Sequence, residues 1–195
     1  MSEVKVNKLS PRSGSTVTIG DSGDTINVVG TLQNNGGALP GVTFKEGGTN
    51  FTNSLLVGTD GTGTLNAAVG NTGVGTGVFG ALTTGDNNVA VGLNALDVNT
   101  TAAQNTAIGA CALVTTTTGG CNTGVGYLSL TANTGGFNVA IGRCSLHTNT
   151  TASNNTAVGS HALKLNTSGS GNVAVGDVSL DANTTGTNNT AVGRS

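Results

Sequence analysis

Tryptophan is absent from this 195-residue chain, tyrosine and methionine occur once each, and aromatic residues make up 3 % of it. The aliphatic residues do not compensate, since Val, Leu, Ile and Phe together number 45 of 195. Such a composition does not build a conventional globular core. Charge is scarce too, at 8 % with a formal net charge of −2. Chains that cannot fold usually carry a high net charge, so this balance argues against disorder and for an ordered repeat made of small residues. Seven scattered basic residues do not supply the positive field that a nucleic-acid partner requires. No apolar run approaches the length needed to insert in a membrane. Residues 1–20 alternate polar and apolar and lack the basic start and apolar block of a secretory signal, so synthesis in a cytoplasm without export is expected. Cys111, Cys121 and Cys144 are odd in number and lack metal-ligand spacing, which points to neither a disulfide framework nor a zinc site.

Glycine is plentiful, at 33 residues, alongside Thr and Asn, and these residues fall into a repeat. A pentapeptide close to Asn-(Val/Thr)-Ala-(Val/Ile)-Gly begins at Asn71, Asn88, Asn105, Asn122, Asn138, Asn155, Asn172 and Asn189, at every seventeenth position except for one step, from Asn122 to Asn138, that is shorter by one. One full period before Asn71 stands a degenerate first copy, Ser54-Leu55-Leu56-Val57-Gly58, so the register runs through nine copies. Five residues after each Val/Ile comes a second apolar position, filled by Phe79, Leu96, Leu113, Leu130, Leu146, Leu163 and Leu180. Leu130 keeps its place in the short copy. The missing residue is therefore expected between Leu130 and Asn138, in a Thr-, Asn- and Gly-rich segment that reads as a turn.

The period, seventeen positions split into two short apolar segments and two turns, is too short for a pair of helices. It suits one coil of an all-β, parallel β-solenoid. About nine such coils are expected over residues 54–195, after an N-terminal attachment region, residues 1–53, with irregular short strands at 17–19 and 26–29 and a loop at 36–41. In Asn88-Val89-Ala90-Val91-Gly92, alternation places Val89 and Val91 on one face and Ala90 on the other. Stacking then lines the Val/Ile positions, Val57 to Val192, into one ladder and the Leu residues into another, one of each buried per coil. At about 4.8 Å per strand the coils extend roughly 40 Å. Two buried side chains at about 1.5–3 kcal/mol each do not offset about 1–2 kcal/mol of ordering entropy per residue. Further packing against other copies is therefore expected, through the small Ala/Gly position or the Thr/Val face beside it. The Asn opening each motif suits a tight turn and, repeated in register, is expected to stack into an amide ladder.

The segment Asn155-Thr156-Ala157-Val158-Gly159-Ser160-His161-Ala162-Leu163, with the following Asn166-Thr167-Ser168-Gly169, resembles the head repeats of YadA-like trimeric adhesins, which also occur in phage tail-fibre proteins. The resemblance covers about residues 54–195 and implies a left-handed parallel β-roll wound as a homotrimer, although adhesin head repeats are a few residues shorter than these. The opening residues, Met1-Ser-Glu-Val-Lys-Val-Asn-Lys-Leu-Ser-Pro-Arg and Ser15-Thr-Val-Thr-Ile-Gly-Asp, look like the start of phage tail-fibre proteins. An adhesin needs an export signal and a C-terminal membrane anchor, and neither is visible. What the resemblance implies is a rigid trimeric rod in a virion, attached to a phage tail or baseplate protein by its N-terminal region. A distal region beyond Ser195 would meet the host cell-surface receptor. A bacterial adhesin head is the alternative.

Chemistry is hard to find in the repeat. Cys144 and His161 occupy the same position in successive coils, where a threefold assembly would gather metal ligands. Cys111 and Leu128 fill that position in other coils, which makes it a slot for medium-sized side chains. Cys111 and Cys144 are two coils apart, roughly 10 Å, beyond disulfide reach. The glycine run from Gly73 through Gly75 and Gly77 to Gly80 lacks the helix that a phosphate loop precedes. Asp86, Asp97, Asp177 and Asp181 are too dispersed for a paired acid/base site, and His147 and His161 have no Ser/Asp partners in a triad. Asp21 and Asp24, in one short turn, are a weak calcium signal. No catalytic, cofactor-binding or metal residue is expected, and no enzyme. A Thr-rich solenoid also raises ice binding. Thr115 and Thr117, or Thr148 and Thr150, alternate as a flat ice-binding face requires, but Val98/Thr100, Ala132/Thr134 and Leu165/Thr167 do not, so ice binding ranks below the fibre.

Overall fold

The structure is a computed structural model that describes residues 43–46, 51, 52, 54–58 and 67–194. The chain divides into two compact units, residues 1–37 and 38–195, and every described residue belongs to the second. The expected strands at 17–19 and 26–29, the loop at 36–41 and the Asp21/Asp24 turn lie outside the described residues.

The described part is all β. The first strands are β1 (Thr43–Glu46), β2 (Phe51–Thr52), β3 (Leu55–Gly58), β4 (Ala68–Val69) and β5 (Thr72–Val74). The repeat then continues as β6 (Val89–Val91), β7 (Thr106–Ile108), β8 (Thr123–Val125), β9 (Val139–Ile141), β10 (Thr156–Val158), β11 (Val173–Val175) and β12 (Thr190–Val192). From β3 through β5 to β12 the strands pair in parallel and in register, so that Val74 lies beside Val91 and Val91 beside Ile108. These nine rungs enclose about eight turns, each one period of the sequence motif long, which is the arrangement of a β-solenoid. At one edge β1 runs antiparallel to β3, and Phe51 of β2 pairs with Ala68 of β4.

The interior is built from the small residue of each strand and the Leu that follows it. Ala90, Ala107, Ala140, Ala157 and Ala174 are fully buried, as are Leu96, Leu113, Leu130, Leu146 and Leu163. The expected Leu ladder is thus present. The Val/Ile ladder points outward instead, with Val74, Ile108 and Ile141 each about 40 % exposed. The reason is space. A Cβ added at Gly73 would lie 2.8 Å from Leu56 Cδ1 and 2.9 Å from Phe79 Cε2, so beside the Phe only Gly fits, and beside the smaller Leu of most later coils nothing larger than Ala is used. The Ala/Gly position therefore packs within its own chain, and of the two expected contact faces only the Thr/Val side remains open.

Each turn uses left-handed backbone to fold the Leu inward: Asn94 and Leu96 have φ of 53° and 50°, Cys111 and Leu113 of 55° and 52°. Left-handed geometry costs a non-glycine residue about 1–2 kcal/mol, and full burial of a Leu contributes about the same in the other direction. The glycine that ends each strand has no such latitude. Gly109 sits at φ 133°, and a Cβ there would stand 2.6 Å from the Gly126 carbonyl oxygen of the next coil.

Polar ladders complete the interior. The buried Asn side chains stack as the repeat implies: the Asn88 N–H donates to Asn71 Oδ1 at 2.9 Å, the Asn105 N–H to Asn88 Oδ1 at 2.9 Å and the Asn155 N–H to Asn138 Oδ1 at 3.0 Å. At the first coil Ser54 Oγ takes the acceptor role, receiving the Asn71 N–H at 2.8 Å. A second amide column runs through the buried Asn133, Asn149 and Asn166 to the half-buried Asn183, joined by Nδ2 to Oδ1 bonds of 2.7, 2.9 and 2.9 Å. In the short coil Asn133 Nδ2 reaches a carbonyl two residues on, at Gly135, whereas Asn149 and Asn166 reach three residues on. The missing residue thus falls between Asn133 and Gly135, inside the expected segment.

Candidate interaction surface

Two outward columns flank the buried Ala/Gly column on the parallel sheet. One holds Thr72, Val89, Thr106, Thr123, Val139, Thr156, Val173 and Thr190, the other Val74, Val91, Ile108, Val125, Ile141, Val158, Val175 and Val192. Every one of these residues is β-branched and none is charged. β-branched side chains suit extended backbone, which explains their presence but not the absence of any polar residue beyond Thr from the outer column. The column after the strand-ending glycines changes along the stack: Leu93 and Tyr127 are 52 % and 51 % exposed, and Arg143, Ser160, Asp177 and Arg194 follow them.

The residues weighed for chemistry are dispersed along the stack, and Cys144 among them is buried. Cys111, Cys144 and His161 share one column, as their spacing requires, and all three take left-handed backbone, with φ of 55°, 53° and 59°. The His161 ring is held at both nitrogens, 3.0 Å from Arg143 Nη1 and 3.0 Å from Ser160 Oγ. His147 Nδ1 lies 3.1 Å from Thr131 Oγ1, and Cys121 Sγ donates to Gln104 Oε1 at 3.2 Å. Asp86 accepts the Val69 N–H at 2.8 Å, and Asp177 faces Arg194 at 3.5 Å. Among the described residues no group of three or more His, Cys, Asp or Glu is placed to hold a metal ion. Nor do the described residues form a helix long and apolar enough to cross a membrane.

One column entered the sequence reading only as the second member of the ice-binding pairs, and its bonding was not foreseen. Thr83, Thr100, Thr117, Thr134, Thr150, Thr167 and Thr184 stand at one corner of successive coils. Five of their hydroxyls donate to the carbonyl of the next Thr, for example Thr83 to Thr100 at 2.9 Å and Thr150 to Thr167 at 2.9 Å. The signal was an unbroken run of Thr at one offset, hidden by the variable residues around it. No protein-family model matches the chain, and no curated protein or solved structure matches it either.

Proposed function

We propose that this chain is a non-catalytic shaft segment of a phage tail fibre, in which three copies, each a left-handed coil, pack side by side into a stiff rod. The outward Thr/Val and Val/Ile columns are the contact between copies. The N-terminal region holds a tail or baseplate protein, and recognition of the host receptor sits further out. Besides the resemblance of the repeat to fibre and adhesin heads, one observation carries the reading: the outward columns stay β-branched, uncharged and in register from β5 to β12.

An uncharged outward stripe, exposed at Val74, Ile108, Ile141 and Val192 and half-buried between them, suits a contact surface. A partner that follows it must repeat at the same rise of about 4.8 Å per rung, and a second copy of the chain does so. Uncharged columns also leave nothing to repel between like faces. By strand geometry the stripe measures about 40 by 10 Å, roughly half of the ~800 Å² that each partner buries in a stable pair. A threefold bundle, in which each copy meets two others and the Leu93 and Tyr127 flank joins in, closes that gap better than a twofold pair. Sedimentation at micromolar concentration is expected to give three chains, and a double change, Ile108→Lys with Ile141→Lys, to give single chains with unchanged β-sheet circular dichroism. A monomeric native chain would rule the assembly out. Electron microscopy of the parent particle tests the location, where a slender rod projecting from the tail is expected.

A further inference from the structure

We infer that the stack contains a built-in joint between the coil of residues 105–121 and the short coil of residues 122–137, opening at the Thr corner while the sheet side stays closed. The inference concerns one chain and does not depend on the fibre reading.

Four observations coincide there. At the other corner steps, turn amides donate to the Thr carbonyl of the next coil: Thr83 and Thr84 to Thr100, Thr101 and Ala102 to Thr117, Thr134 and Gly135 to Thr150, Thr150 and Thr151 to Thr167, Thr167 and Ser168 to Thr184. At the step from residues 117–119 to Thr134 none of these amides does so, and the Thr117 hydroxyl does not reach the Thr134 carbonyl as its counterparts do. The cause is the residue missing between Asn133 and Gly135, which tightens the turn. On the other side of the step, in the coil of residues 105–121, the second amide column is interrupted by Thr116, which is fully buried. Its Oγ1 and the Asn105 Nδ2 are the two buried side-chain polar atoms, among the described residues, without a hydrogen-bond partner. In neighbouring coils the atoms in these places bond the carbonyl of the corner residue, as Asn88 Nδ2 and Asn99 Nδ2 do at Ala102, at 2.9 and 3.1 Å. The equivalent carbonyl, that of Gly119, receives neither. Finally, the corner is lined by Gly119, Gly120, Gly135 and Gly136, where the next coil has Ala152 and Ser153; glycine adds chain entropy to the open state.

The sheet side of the same step is intact. Thr106 pairs with Thr123 and Ile108 with Val125, and the Leu113 N–H donates to the Ser129 carbonyl at 3.0 Å. The loss is confined to the corner itself, since the Thr115 N–H still donates to the Thr131 carbonyl and the Phe137 N–H to the Gly120 carbonyl, each at 3.1 Å, so the corner opens locally while both its flanks and the sheet hold the two coils together. Local opening of this kind sets amide exchange rates.

Hydrogen exchange followed by mass spectrometry on the whole chain tests this. Amides of the corner, residues 117–120, are expected to exchange at least tenfold faster than those of the matching corners on either side, residues 100–103 and 150–153, while the strand amides of residues 123–125 stay as protected as those of the neighbouring rungs. Thr116→Asn supplies an Nδ2 for the Gly119 carbonyl and is expected to slow exchange there several-fold. Inserting one Thr between Thr134 and Gly135 restores the full turn, and with Thr116→Asn it is expected to bring the segment to within threefold of its neighbours. Uniform exchange at all the corners, or exchange at 117–120 unmoved by Thr116→Asn, would overturn the joint.

Discussion

At the residue scale the stack rewards side chains that bond along its axis and penalises those that strain its turns. Asn155 accepts the Asn172 N–H at 2.9 Å and donates to Asn138 Oδ1 at 3.3 Å. Asn155→Ala leaves a buried amide without its acceptor, an expected cost of about 1–3 kcal/mol, read as a lowered midpoint in thermal or urea unfolding. Val178 is the opposite case, a β-branched residue held at φ 61°, where the same place in earlier coils carries Gly77 at 69° and Asn94 at 53°. Asn tolerates left-handed backbone, so Val178→Asn is expected to stabilise by about 1 kcal/mol in the same measurement. Much at this scale was legible from spacing alone. An Asn recurring every coil has to lie beside its copies, and the amide ladder follows. The break at Thr116 was not legible, because Thr and Asn look interchangeable in a turn until the reach of Nδ2 to a particular carbonyl is known.

At the scale of the strand, alternation separated Val89 and Val91 from Ala90, but the expectation that the Val/Ile set is the buried one chose the wrong face. Habit favours the larger residues. The deciding contact lies beyond the strand: the inward-folded Leu or Phe six residues on occupies the space opposite it, and left-handed backbone at Leu96 and its counterparts carries it there. No local pattern announces a Leu at φ 50°. The strand-ending glycines are constrained just as tightly by a neighbour one coil away. Gly109→Ala combines φ 133° with a clash 2.6 Å from the Gly126 carbonyl oxygen, backbone that has no room to shift without moving the next rung. The chain carrying it is expected to lose several kcal/mol, with the loss seen as early unfolding of the coils around residues 105–125 by hydrogen exchange. Gly193→Ala, whose added Cβ meets nothing within 4 Å, is the matched control at φ 130° and isolates the backbone strain from the clash.

At the scale of the whole stack, period and all-β class were readable in the sequence because a solenoid is one coil written repeatedly. Nearest neighbours supply nearly all of the contacts in such an architecture, and stability becomes a sum of coil terms and interface terms. That additivity yields a test which an ordinary globule would fail. Excising residues 139–155 removes one whole coil and joins Asn138 directly to Thr156. Asn138 then stands where Asn155 stood, so the Asn172 N–H regains an Oδ1 acceptor, and Thr156 follows Thr123 on the sheet as Val139 did before. The shortened chain is expected to keep its β circular dichroism, unfold in one transition, and have a midpoint only a few degrees lower. Excising residues 139–147 instead removes about half a coil, carries Leu146 away, and sets the Thr corner against the sheet. That chain is expected to lose protection throughout residues 148–194 while the coils up to residue 121 keep theirs. Equal damage from the two excisions would mean that cooperativity extends beyond neighbouring coils.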